Sequence, residues 1–209
     1  MNLILAILVC VAVIGATFYF ATKMSNSTVK KMNECINILA EKLGLPVIEH
    51  KEKQLSAFYT TELNGDIDNR KFYFRSFTRS VQTSDSFTTE FSWYCNLKEL
   101  HHLQISKESV VATLQKQFGV EDVEIGDKKF DDQFLIKCDN ADYARTILNP
   151  TICAELLKRE KIMYGSIFIR NKEIHYEESG VLAGENDVDR MLRLIQLCKF
   201  ICTEIEKMG

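Results

Sequence analysis

Four aspartates crowd one short stretch, Gly126–Asn140, which reads GDKKFDDQFLIKCDN. Carboxylates set among bulky apolar side chains suit general acid–base chemistry, because burial can lift one acid toward neutrality while its neighbour stays ionised. Here Asp127, Asp131, Asp132 and Asp139 stand beside Phe130, Phe134 and Ile136. In a strand that starts at Phe130, alternation puts Phe130, Asp132, Phe134, Ile136 and Cys138 on one face and Asp131, Gln133, Leu135, Lys137 and Asp139 on the other. Asp127 then falls in a turn, Asp139 or Asn140 caps the next helix, and Asp142 suits that helix's first turn. Only Asp132 breaks the pattern. A bulge or a late strand start would expose it. A buried Asp132 working with a basic residue would instead make the chain a hydrolase-like enzyme, although no nucleophile or metal set accompanies it.

The other chemistry-bearing residues are scattered. His101 and His102 are neighbours in an expected strand, so their side chains leave opposite faces and cannot share one ion. His50 and His175 lie far away and could join a site only through the tertiary fold. Cys198 and Cys202 share a helix face at i, i+4, but within an apolar stripe that marks them as core thiols. Ser27-Thr28-Val29-Lys30 spells Ser-x-x-Lys without its companion motifs, and no Gly-x-Ser-x-Gly, phosphate-cradling loop or His-Glu-x-x-His is present. RKFYFRSF, Arg70–Phe77, matches the aromatic and basic positions of an RNA-binding strand motif. Lys71 and Tyr73 replace its small residues, however, and alternation explains the segment more simply, with Phe72 and Phe74 inward and Arg75, Phe77 and Arg79 outward. No catalytic, cofactor-binding or metal-ligating set is therefore assigned from the sequence, and no cofactor is implied.

The elements that would position these residues read as follows. Residues 1–22 carry no charged side chain, and Leu3–Ala21 is an unbroken apolar run. As a helix it would span about 28 Å, the thickness of a bilayer's hydrocarbon core. Phe18, Tyr19 and Phe20 sit where an interfacial aromatic belt belongs. A cleaved signal peptide fits worse: only Asn2 precedes the run, and cleavage after Ala16 would put Ile14 where a small residue is wanted. Lys23, Lys30 and Lys31 follow the run, which by the positive-inside rule places the N-terminus outside and residues 23–209 in the cytoplasm. Seven cysteines, an odd number at mostly apolar positions, suit reduced thiols in that compartment. Asn26-Ser27-Thr28 spells a glycosylation acceptor, which matters only for the opposite orientation.

Residues 23–46 read as a juxtamembrane amphipathic helix, about Thr28–Leu43, striped by Val29, Met32, Ile36, Leu39 and Leu43 and stopped at Gly44-Leu45-Pro46. The stripe packs either on the chain's own domain or, as a two-heptad seam along residues 28–43, on a second copy. Residues 47–209 form one domain. Strands are expected at Ser56–Leu63 and Lys71–Arg79, joined by a turn at Asn64-Gly65, then at Phe87–Leu97 and Glu99–Ser106. Ser106 caps a helix carrying Val110, Val111, Leu114 and Phe118. Val120–Ile125 and Phe130–Cys138 read as a hairpin, and Ala141–Leu148 and Pro150–Arg159 as helices, the second capped by Asn149. A second hairpin turns at Asn171-Lys172 before a final helix, Asp187–Lys207. The class is α+β, a mostly antiparallel sheet with helices on one face in two layers.

Phe130-Asp131 followed by Phe134, Ile136, Asp142, Ala144, Leu148 and Pro150 resembles a pattern in a poorly characterised group of bacterial membrane-anchored proteins. The resemblance covers mainly residues 120–150. It implies a cytoplasmic domain of unknown function behind a membrane anchor, and it brings no activity or site residues. The sequence thus leads to a single-pass membrane protein held in the lipid bilayer through residues 3–21, whose cytoplasmic domain binds a protein or the membrane surface. With 29 acidic against 26 basic residues the net charge is −3, which does not favour nucleic acid as a partner.

Overall fold

The computed structural model describes residues 27–50, 60–81, 84–97, 101–107 and 122–208. The apolar run Leu3–Ala21 and the expected helix after Ser106 lie outside these residues. Among the described residues, no helix is long and apolar enough to cross a membrane.

Helix α1 covers residues 27–43 and ends at Gly44, whose φ of 67° gives the left-handed stop that a residue without Cβ adopts without strain. Strands β1 (Val47–His50), β2 (Thr60–Ile67), β3 (Arg70–Val81), β4 (Ser84–Tyr94) and β5 (Leu103–Lys107) follow. Helix α2 (Lys128–Asp131) is a single turn before β6 (Phe134–Cys138). Helices α3 (Ala141–Ile147) and α4 (Pro150–Arg159) lead into β7 (Ser166–Arg170), β8 (Glu173–Ser179) and the long helix α5 (Glu185–Met208).

The eight described strands form one antiparallel sheet in the order β1-β2-β3-β4-β8-β7-β5-β6. The register aligns one row of side chains across the whole sheet: Val47, Leu63, Phe74, Phe91, Tyr176, Ile167, Ile105 and Ile136. From Leu63 onward every member of that row is at most 1% exposed. Since side chains alternate, a one-residue slip anywhere would expose the whole row, and this fixes the register. The helices cover this face. Met32 of α1 accepts a hydrogen bond from Ser76, α2 stacks Phe130 on Phe134 at 4.8 Å, and α5 places Arg190 against Glu178. The class is α+β, as expected, and the described helices share one face of the sheet.

The stripe of α1 faces this same core. Val29, Met32, Ile36 and Leu39 are buried in the chain's own core. Of the two packings open to the stripe, these residues take the one on the chain's own domain.

Three local readings are corrected. The β2–β3 turn is at Asp68-Asn69, both with positive φ, and Asn64-Gly65 lies inside β2. Leu45 packs on Gly65, and a Cβ there would meet Leu45 Cδ2 at 2.7 Å, so the tip of the leucine would have to shift. His101 and His102 precede β5 rather than lying within it. The strand expected from Phe130 begins at Phe134, because Asp127 caps a helical turn by accepting from the Lys129 and Phe130 amides. Of the expected partner strand, the described residues 122–125 keep the Asp122–Lys137 bridge and a Val123-to-Ile136 hydrogen bond.

That late start settles the opening aspartates. Asp131 accepts from the amides of Ile125 and Gly126, Asp139 accepts from the His102 amide, and Asn140 caps α3. Asp132 ends α2 as an exposed residue, so no buried acid stands there. Asp132→Asn is expected to change the stability of the full chain, followed by thermal unfolding, by no more than the about ±0.5 kcal/mol typical of surface changes.

Candidate functional site

The sheet's second face carries the candidate site. Strict alternation puts Glu62 of β2, Tyr73 and Arg75 of β3, Glu90 and Ser92 of β4, His175 and Glu177 of β8, and Phe168 of β7 on this side. The described helices all lie on the other. Glu62, Arg75, Glu90 and Glu177 fall in one register row, so their side chains meet edge to edge across four strands.

The contacts run in sequence along that row. Tyr73 donates to Glu62 at 2.8 Å. Desolvation, reinforced by that hydrogen bond, pushes the Tyr73 hydroxyl up to about 12, so it stays a donor at neutral pH. Arg75 donates through Nε to Oε1 of Glu90 at 2.7 Å, while its guanidinium lies 4.3 Å from the ring centre of Phe77. Glu90 is nearly buried, with 8% of its side chain exposed. Its second oxygen, Oε2, lies 3.9 Å from His175 Nε2, and Oε2 of Glu177 lies 3.7 Å from the same nitrogen. The His175 ring in turn rests 5.9 Å from that of Phe168. Beyond it, Ser106 and Ser166 share a 2.7 Å hydrogen bond and Arg170 covers Phe168.

A second polar cluster lies on the core side and is structural. Arg190 clamps Glu178 with two hydrogen bonds, 2.7 and 2.6 Å, and both side chains are under a tenth exposed. Tyr176 donates to Glu178 at 2.6 Å and accepts from the amides of Tyr164 and Gly165. Burial and the Glu178 charge hold the Tyr176 hydroxyl well above its ordinary range. Gly165 lets the chain press against β8: a Cβ there would overlap the Glu177 carbonyl.

Among the described residues the thiols stay out of reach. Cys35, Cys95, Cys138, Cys153, Cys198 and Cys202 are all free and buried. Cys95 and Cys202 meet beneath Glu206, and hydrogen bonding with Cys202 together with burial pushes the Cys95 thiol well above its usual range. Burial, reinforced by the neighbouring Cys202, lifts Cys198. Such thiols are inert rather than nucleophilic.

His175 was singled out in the sequence only as remote, and the fold brings it to two carboxylates. His101 goes elsewhere, against Tyr143, Asp139 and Asn140. The side chain of His50 lies outside the described residues. The strand Arg70–Phe77 buries Phe72 and Phe74 as alternation requires, and turns Tyr73, Arg75 and Phe77 to the second face. Sequence reasoning missed Glu90, Glu177 and Arg190. Two signals were present: an acid alternating with core aromatics in EFSW, and an arginine within the apolar stripe of the last helix.

No family model matches the chain, and no curated protein matches it. Among solved structures it is similar to the crystal structure of the mycobacterial trehalose monomycolate transport factor A, with 10% sequence identity and a TM-score of 0.53. The alignment covers 81% of this chain and 93% of that one. At this identity the likeness is one of fold.

Proposed function

We propose that the chain is a single-span membrane protein that presents one cytoplasmic α+β domain to a protein partner through the second face of its sheet. The reading is carried by α1. Its stripe is locked into the domain core from Val29 onward, only a few residues after the apolar run ends at Ala21. Six residue steps separate Ala21 from the start of α1, which bounds their separation at about 20 Å. If Leu3–Ala21 stays in the bilayer, the domain is therefore held at the membrane surface in a limited range of orientations.

Lys23, Lys30 and Lys31 support a cytoplasmic domain. The free thiols of Cys95 and Cys202, side by side, suit a reducing compartment. The resemblance of residues 120–150 to bacterial membrane-anchored proteins points the same way. The solved neighbour is titled a transport factor, but the shared fold brings no cargo with it, and the reading rests on this chain's own residues. A protein fits better than an anionic lipid surface, because the chain is net acidic and the second face mixes Arg75 with Glu62, Glu90 and Glu177.

Two measurements on native membranes test this. Protease added outside sealed spheroplasts should leave residues 27–209 intact, and proximity labelling from the C-terminus should recover a defined protein neighbour. Digestion of the domain from outside, sugar on Asn26, or mature chains starting after Ala16 would overturn the orientation. Labelling no richer than that of an unrelated anchored domain would overturn the binding role.

A further inference from the structure

Glu90 and Glu177 are direct partners across the β4–β8 pair. Like charges placed opposite one another destabilise a sheet, the more so when one of them is nearly buried. Arg75 meets Glu90 through Oε1. Oε2 of Glu90 and Oε2 of Glu177 lie 3.9 and 3.7 Å from His175 Nε2, too far for direct hydrogen bonds.

Those separations fit a different occupant. The three atoms, Glu90 Oε2, His175 Nε2 and Glu177 Oε2, all lie within 4.8 Å of one another. An ion in their plane would sit about 2.1–2.5 Å from each, and small rotamer adjustments give the 2.0–2.2 Å typical of zinc bound by nitrogen and oxygen. We propose that Glu90, His175 and Glu177 form a binding site for a divalent first-row transition ion, of which zinc is the best fit, on the second face of the sheet.

The ligand chemistry narrows the choice of ion. An imidazole with two carboxylates suits zinc and its neighbours, whereas magnesium and calcium prefer oxygen alone. The three ligands stand on paired strands rather than on loops, so their spacing is set by the register. Arg75 fixes the orientation of Glu90 from behind, the role an outer-shell partner plays at a metal centre. The other such group among the described residues, Cys95, Cys202 and Glu206, is a poorer host. Glu206 is taken by Arg70 and the Asn96 amide, and Cys202 Sγ donates to the Tyr94 carbonyl.

The test uses the untagged full chain in detergent, stripped with a chelator and titrated with Co²⁺ and then Zn²⁺. The expected result is saturation at one equivalent, a weak visible cobalt spectrum without a thiolate charge-transfer band, and displacement of cobalt by zinc. Loss of an outer-shell partner already weakens metal binding by roughly 10–100-fold, so His175→Ala should lower affinity by about 10²-fold or more. Glu177→Gln, at a position whose side chain is 30% exposed, should also weaken binding while keeping the fold. Zn²⁺ should raise the thermal midpoint of the parent chain but not of either variant. Cys202→Ala should change nothing. Absence of saturable binding, binding that survives both variants, or a thiolate band abolished by Cys202→Ala would overturn the proposal. None of these outcomes bears on the partner-binding role proposed above.

Discussion

Replacing Arg190 with alanine is expected to destabilise the full chain by about 3–5 kcal/mol, and Glu178→Ala by a similar amount. Each change leaves one charge buried without its partner, and that stranded charge accounts for most of the cost. The pair itself is not a large net source of stability, because two ions must be desolvated to form it. Glu178→Leu combined with Arg190→Met should therefore recover most of the loss. Tyr176 makes the comparison stricter, since its hydroxyl needs Glu178 as acceptor and would still be left partly unpaired. Urea unfolding in detergent, followed by fluorescence of the sole tryptophan, buried Trp93, reads the effect. The midpoint should fall with an unchanged slope. A loss below about 1 kcal/mol in both single variants would mean that water screens the pair.

This clamp also matters for the opposite side of the sheet. Glu178 and Tyr176 point into the core from β8, so His175 and Glu177 must point out of it. A strand pinned at two core positions by an ion pair and a phenol cannot rotate its intervening residues away. The alternation that buries Arg190's partner thus aims the imidazole and carboxylate of the proposed ion site.

How much of this was legible depended on the range of each interaction. The hairpin at Asn171-Lys172 was legible because a two-residue turn with both φ angles positive is set by local chemistry. The caps at Asn140 and Asn149 were legible for the same reason. Asn64-Gly65 misled because it carries the strongest short turn signal, while Gly65 answers to Leu45, a contact made through another element. Phe130 and Phe134 misled because their spacing fits a helical turn as well as a strand, and the Asp127 cap decides between them. Glu90 and His175 sit far apart in sequence, with β5, β6 and β7 between them along the chain. Only the strand order, with β8 paired to β4, brings them together, and no local pattern encodes strand order.

Leu39→Ala should cost about 2–5 kcal/mol, the range for emptying a buried leucine site, and should leave the oligomeric state as it was. Leu39 is fully buried on the stripe that also holds Met32 and Ile36, and this stripe packs on the chain's own sheet. Polar contacts reinforce the docking: Thr61 donates to Asn33 at 2.8 Å, and Lys42 reaches Asp189 of α5 at 2.9 Å. If the stripe were instead a seam between two copies, the same substitution would split a dimer and cost the isolated domain little. Urea unfolding paired with sedimentation in detergent separates these outcomes. Hydrogen exchange then tests whether α1 and the sheet are one unit: amides of residues 27–43 should lose protection together with those of β2 and β3. If α1 alone exchanged faster while the sheet stayed protected, the helix would be a loosely attached tether. The domain would then be free to swing away from the bilayer, and a fixed presentation of its second face would lose its structural basis.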